Sequence, residues 1–337
     1  MSMSPLMRNT EPNNVVGFKS MKLVHVAVAV IMRGNDVLIA RRPDHVHQGG
    51  LWEFPGGKVE PNETVQHALK RELKEELDIE VSPSSGIEPL IRIRHDYSDK
   101  SVLLDVWIVT SFDGEPTGAE GQPIQWVTSA NLNDFSFPEA NKPIISAILL
   151  PRKYLIIGAY ETPEDCLTRL KRAIDTSDIK LVQFRNHTLL ESDRSGFIVL
   201  AGQIANICQE YGVRLILNAA PSILDQVNVD GVHLTATEAK YHTTRPISRD
   251  RLLGVSCHSA EELHQARLLE PDYVLLSPIK ETATHPGAEP LGWTLFRALS
   301  DQTAFPVFAL GGMEEQDFHE AIGHGAQGIA AIRAWWQ

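Results

Sequence analysis

Gly57-Lys58-Val59-Glu60-Pro61-Asn62-Glu63, running on to Arg71-Glu72-Leu73-Lys74-Glu75-Glu76-Leu77, is the stretch on which the reading of this chain turns. From Thr64 to Leu77 the apolar residues Val65, Leu69, Leu73 and Leu77 return every four positions, which predicts an amphipathic helix with that stripe on a core. Glu72, Glu75 and Glu76 fall at i, i+3 and i+4 and so share a face. Each like-charge pair there costs a helix about 0.2–0.5 kcal/mol. Acids gathered beside the apolar stripe point to a bound cation. Mg²⁺ suits such oxygens, because it keeps waters and substrate phosphates as its remaining ligands.

Just upstream, Leu51-Trp52-Glu53-Phe54 reads as a short strand and Pro55-Gly56-Gly57 as a tight turn that lets the backbone approach a ligand. Strand, glycine turn and carboxylate helix together predict a floor for a metal–pyrophosphate. The order Gly57, five residues, Glu63, seven residues, Arg71-Glu72-Leu73, one residue, Glu75-Glu76 resembles the Nudix box. Its one departure is Asp78, where the family has glycine at the helix end. Asp tolerates a left-handed backbone, so a small loss of stability and no loss of chemistry are expected.

Working outward, Leu23–Met32 and Asp36–Arg42 read as a hairpin across Gly34-Asn35. Ile91–Tyr97 and Val102–Val109 form a second, turning at Ser98-Asp99-Lys100, Gln125-Trp126-Val127 is a further strand, and Pro143–Leu150 is a closing helix. This order suits an α/β/α sandwich, the Nudix fold. Ala40-Arg41-Arg42, Leu51 to Lys58, Glu120-Gly121-Gln122-Pro123 and Phe137 to Pro143 resemble the MutT-type 8-oxo-dGTP diphosphatases, over residues 21–149.

That resemblance implies hydrolysis of 8-oxo-dGTP to 8-oxo-dGMP and pyrophosphate, a nucleotide-pool sanitation reaction serving DNA replication and repair. It implies Mg²⁺, with Mn²⁺ as a substitute, on the Gly56 carbonyl, Glu72, Glu75, Glu76 and Glu120. The same four glutamates form the implied catalytic set together with Arg71, which reads as an orienter of the acids, since a guanidinium only donates. Gly57 and Arg42 lie near the substrate, Phe54 packs on the base and Asn141 pairs with the oxidised purine. An amide offers donor and acceptor side by side, matching a purine edge that carries both.

From Tyr154 the pattern changes. Eight short apolar runs, beginning at Tyr154, Lys180, Arg214, Gly231, Leu253, Tyr273, Pro306 and Gly328, alternate with helical stretches and predict a (β/α)₈ TIM barrel. Polar residues gather at the strand ends: Gln183, Arg185, Asn218, His233, Ser256, His258 and Ser277. Gly311-Gly312 and Ile332-Arg333 fit the usual barrel phosphate site. With Asp230-Gly231-Val232-His233-Leu234 and Gly254-Val255-Ser256-Cys257-His258-Ser259, residues 153–337 resemble thiamine phosphate synthase and its TenI relatives.

The departures bear on chemistry. Asn218-Ala219-Ala220 stands where the synthase has Asn-Asp-Arg, Arg185-Asn186-His187 where it has Arg-x-Lys, and His285 replaces a later lysine. A leaving pyrophosphate needs those charges, so the barrel reads as degenerate for synthase chemistry. Three readings stand: a tautomerase-like enzyme using His258, a binding module for a small phosphate, and a stabilising domain. An alternative for the whole chain sets the Nudix half on thiamine pyrophosphate analogues and the barrel on a thiazole phosphate.

The 337 residues exceed what one core supports, so two domains are expected, meeting at Pro151-Arg152-Lys153. A net charge of −12 argues against polymeric nucleic acid as a partner and leaves a small nucleotide carried with divalent ions. Three cysteines without metal-ligand spacing read as free thiols of a cytoplasmic protein. Residues 1–20 read as a flexible tail, and no run reaches the ~18 apolar residues of a membrane helix.

Overall fold

The computed structural model describes residues 23–46, 48–82, 86–96, 101–282, 287 and 289–337; the expected tail, the turn at 98–100 and His285 lie outside them. In the first half the strands are β1 (Leu23–Arg33), β2 (Asp36–Arg41), β3 (Trp52–Glu53), β4 (Gly56–Lys58), β5 (Glu80–Val81), β6 (Ile87–Asp96), β7 (Ser101–Val109), β8 (Phe112–Asp113) and β9 (Ile124–Thr128). The α-helices there are α1 (Val65–Leu77) and α2 (Lys142–Leu149). Both hairpins form, with Arg33 opposite Asp36 in one and His95 opposite Val102 in the other.

The spine is β1, which runs antiparallel to β4 and parallel to β7. Strand side chains alternate between faces, and those of β1 serve two cores. Ala27, Ala29 and Ile31 pack with Leu69, Leu73 and Leu77 of α1. Val28 and Val30 pack with Ile144 and Ile145 of α2. The result is a sheet between helices, the Nudix-like sandwich. One local expectation changes: Gly56–Lys58 is the short strand β4 and not merely a turn. Gly56 comes so close to β1 that a Cβ would lie 2.1 Å from the Ala27 carbonyl oxygen.

Helix α1 starts where Thr64 accepts the His67 N–H at 3.2 Å and stops at Asp78, whose φ of 55° is left-handed. Its cap N–H reaches the Leu73 and Lys74 carbonyls, so the aspartate performs the glycine's role.

The second half contributes β10 (Lys153–Ile156), β11 (Leu181–Phe184), β12 (Arg214–Leu217), β13 (Gly231–Leu234), β14 (Leu252–Cys257), β15 (Tyr273–Leu276), β16 (Val307–Leu310) and β17 (Gly328–Ala331). Among the described residues these eight strands close into a barrel in chain order, with β17 returning parallel to β10. Tyr154, Leu181, Ile216, Tyr273 and Phe308 fill its interior, and Leu150, at the end of α2, joins that same cluster. The first half thus reaches into the barrel at the end where its strands begin. Cys166, Cys208 and Cys257 are buried free thiols, pushed up to about 12 by burial. Among the described residues no helix is long and apolar enough to cross a membrane.

Candidate active site

The site lies where β4 passes α1. The Gly56 N–H donates to Glu76 Oε2 at 3.1 Å. Gly57 lies directly beneath the Glu72 carboxylate, so a Cβ there would sit 2.1 Å from its Cδ. Two glycines in sequence therefore bring two carboxylates of α1 down onto the strand. A cleft of about 540 Å³ opens over Gly56, Gly57, Lys58, Glu72 and Glu76.

Arg71 ties the acids together. Its Nε and Nη2 donate to Glu63 at 3.1 Å each, and Nη1 donates to Glu72 at 2.7 Å and to Glu75 at 3.2 Å. The remaining Nη2 contact, 3.0 Å to the Lys58 carbonyl, fastens this cluster to β4. One planar donor fork thereby sets three carboxylates, and its neighbours hold the guanidinium pKa above its ordinary value.

Glu76 is pushed up to about 7, first by burial, then by the charges of Glu53, Glu72 and Glu120, against the lowering pull of the Gly56 N–H. Glu120 owes this proximity to a loop docked on the end of α1. There the Ala119 N–H reaches the Glu76 carbonyl at 2.9 Å and Gln122 Nε2 reaches the same oxygen at 2.8 Å.

Sequence reasoning assigned no role to Glu53 or Gln122. Glu53 is raised by burial, offset by Arg42, with which it forms a close ion pair. A lone acid inside the apolar run Leu51–Phe54 was the available signal. The docking of Gln122 had none, because the contact spans 46 residues.

The donor set is all oxygen and carries concentrated buried negative charge, which fits a hard divalent cation. Glu72 and Glu76, set over the Gly56-Gly57 backbone, are the groups that would hold it. Four glutamates converging on one ion, the arrangement expected above, are not assembled: among the described residues no three acid, histidine or cysteine side chains form a metal-binding group. The reason is local, since Glu75 is 57% exposed and turned, with Glu72, to Arg71. A cation keeping its own waters and taking phosphate oxygens is consistent with this incomplete cage.

Phe54 also differs from its expected place as a base platform. Its ring is 4% exposed and stacks on Phe137 at 5.2 Å, so it belongs to the core. That stack and the Trp52 N–H bond to the Ser136 carbonyl, 2.9 Å, lay segment 135–137 beside the strand that leads into the site. Asn141 follows four residues later, half-buried, with a side chain that does not cap α2.

In the barrel, Arg185, Asn218 and His258 stand at strand C-terminal ends, as expected of a site-bearing face. His258 Nδ1 lies 2.7 Å from the Ser277 carbonyl. A carbonyl only accepts, so Nδ1 is the donor in this contact. His233 lies deeper, 1% exposed. Burial and then the Arg185 charge push it down to about 3, so it is neutral. Its Nε2 meets Ser256 Oγ at 2.8 Å. Gly311 and Gly312, with φ of +99° and +69°, turn around a cleft of about 180 Å³ lined also by Thr282, Met313 and Arg333.

The fold is thus a Nudix-type sandwich whose glycine strand meets a carboxylate helix, continued by a closed parallel barrel. The chain belongs to the thiamine monophosphate synthase family over residues 153–335 and carries a NUDIX domain over residues 27–147. The 8-oxo-dGTP diphosphatase of Escherichia coli strain K12 is 38% identical over 129 residues, 38% of this chain and 98% of that protein. The CTP pyrophosphohydrolase of the same strain is 36% identical over 132 residues, 39% of this chain and 96% of that protein. The thiamine-phosphate synthase of Thermosynechococcus vestitus is 34% identical over 173 residues, 51% of this chain; the match spans 48% of that relative's length.

Proposed function

We propose that the first half is a Mg²⁺-dependent nucleoside triphosphate pyrophosphohydrolase whose preferred substrate is 8-oxo-dGTP. The observation that carries this reading is the cradle itself: the Glu72 carboxylate over Gly57 and a desolvated Glu76 on the Gly56 N–H, both set by α1. A bound divalent cation would supply charge neutralisation on the phosphate oxygens and a more acidic water. The chain's own groups do the rest. Arg71 holds Glu72 in place, Glu120 accepts the water's proton on a carboxylate oxygen, and the cleft over Gly57 and Lys58 receives the phosphates. Attack by water breaks one phosphoanhydride and gives the monophosphate and pyrophosphate.

Purine choice rests with Asn141, which sits beside the segment stacked on Phe54. A site built to satisfy both donor and acceptor on an edge penalises an analogue that lacks one. The barrel, without a carboxylate at Ala219, is proposed to bind a small phosphate near Gly311 and Gly312 or to stabilise the fold, with tautomerase chemistry at His258 as the remaining option.

The relative named for CTP and the thiamine-family barrel each favour a specific rival substrate. Steady-state kcat/KM for 8-oxo-dGTP, dGTP, CTP and thiamine pyrophosphate, with Mg²⁺ and with chelator, tests the assignment. The oxidised purine is expected to lead dGTP by more than about a hundredfold, the range open to hydrogen-bond discrimination. CTP or the thiamine ester leading would overturn it.

A further inference from the structure

Helix α2 has eight residues, shorter than an isolated helix tolerates. The last four carbonyls of any helix lack intrahelical partners. Here the chain continues as Leu150-Pro151 with Leu150 extended, so there is no glycine cap. The partners come from the barrel instead. Gln327 Nε2 donates to the Ala147 carbonyl at 2.9 Å and to the Leu150 carbonyl at 3.0 Å, across 180 and 177 residues. Arg214 Nη2 donates to the Leu149 carbonyl at 2.5 Å, which also sets a cation at the negative end of the helix.

Gln327 is only 2% exposed and immediately precedes β17, and Arg214 opens β12. Both therefore sit at the end of the barrel opposite its candidate phosphate cleft. Arg92 adds a surface tie, donating to both Asp301 oxygens at 3.0 Å.

The other end of α2 is the candidate purine reader. Asn141 is its N-cap residue, and Ile144 and Ile145 of its first turns lie in the core that holds Phe54 and Phe137. A short helix pinned at one end by the barrel and at the other by that core is a rigid strut, so a disturbance at its last turn is passed to its first. From this geometry we infer that the barrel serves the hydrolase site through α2, and that Gln327 is a positioning residue for Asn141. The inference rests on the proposed function for Asn141 and goes beyond it, because it gives the barrel a role in purine selection that needs no barrel ligand.

The test uses the full chain and Gln327→Met, which keeps side-chain bulk and removes both donors. KM for 8-oxo-dGTP is expected to rise about tenfold with kcat nearly unchanged, the scale of one or two lost hydrogen bonds. Selectivity over dGTP should fall by a similar factor. Asn141→Ala should have the same effect, and the double variant should be no worse than Asn141→Ala alone, since residues acting as one unit are not additive. Amide exchange should quicken at Lys142 and Ile144 as well as at the last turn. Unchanged KM, additive losses, or faster exchange confined to residues 147–150 would overturn the inference. Where wild-type protein does not hydrolyse 8-oxo-dGTP, the functional reading fails, and the exchange pattern still decides the positioning claim. Should Gln327→Met not fold, Arg214→Met takes the same readouts, with Arg214→Lys as the donor-retaining control.

Discussion

Glu76 carries the most informative single charge. Its pKa is raised, so the folded chain holds the proton more tightly than the unfolded chain does. The stability tied to that proton is full below the ordinary carboxylate range and is lost as pH climbs through about 7. Without metal, Glu76→Gln should therefore match wild type near pH 5 and exceed it near pH 8, by on the order of 2–3 kcal/mol. Urea unfolding in chelator at the two pH values checks this; an equal difference at both would contradict it.

Gly57 offers a second residue-scale check. Its backbone demands no unusual φ, yet a Cβ would strike the Glu72 carboxylate. Gly57→Ala is expected to fold with stability within about 1 kcal/mol and to lose turnover. Arg71→Lys should lower kcat by about ten- to a hundredfold with KM steady, because an ammonium cannot span Glu63, Glu72 and the Lys58 carbonyl together.

At the scale of elements, α1 was readable because its signals are local: a four-residue apolar recurrence and a tolerated Asp78 terminus, to which the structure adds the Thr64 cap. The left-handed Asp78 gives a direct check. Asp78→Gly should stabilise the chain by about 0.5–1 kcal/mol, less the small contribution of the exposed Lys74 pair, with kcat unchanged. Thermal unfolding measures the first and the hydrolysis assay the second. Both hairpins were equally legible, since alternation and turn residues are also local. Other features follow from packing. Phe54 reads as a base platform in sequence, but its ring face is taken by Phe137, 83 positions away. Gly56–Lys58 is a strand because β1 lies alongside it.

For the whole molecule, the eight barrel strands and the order of the two halves were legible as a change in the spacing of apolar runs near Tyr154. The engagement of the halves was not. Gln327 and Arg214 are unremarkable in sequence, and nothing local marks a glutamine as the cap of a helix 177 residues earlier. Neutral, buried His233 leaves the barrel mouth with still less ionisable chemistry than its sequence suggested.

The most telling measurement is phosphorus NMR of 8-oxo-dGTP incubated with the full chain and Mg²⁺, alongside Glu76→Gln. The expected spectrum shows the nucleoside monophosphate and pyrophosphate growing together in wild type, abolished by chelator and reduced by at least about a hundredfold in the variant. Nucleoside diphosphate with inorganic phosphate, or full turnover by Glu76→Gln, would contradict a carboxylate cradle that opens the nucleotide's anhydride.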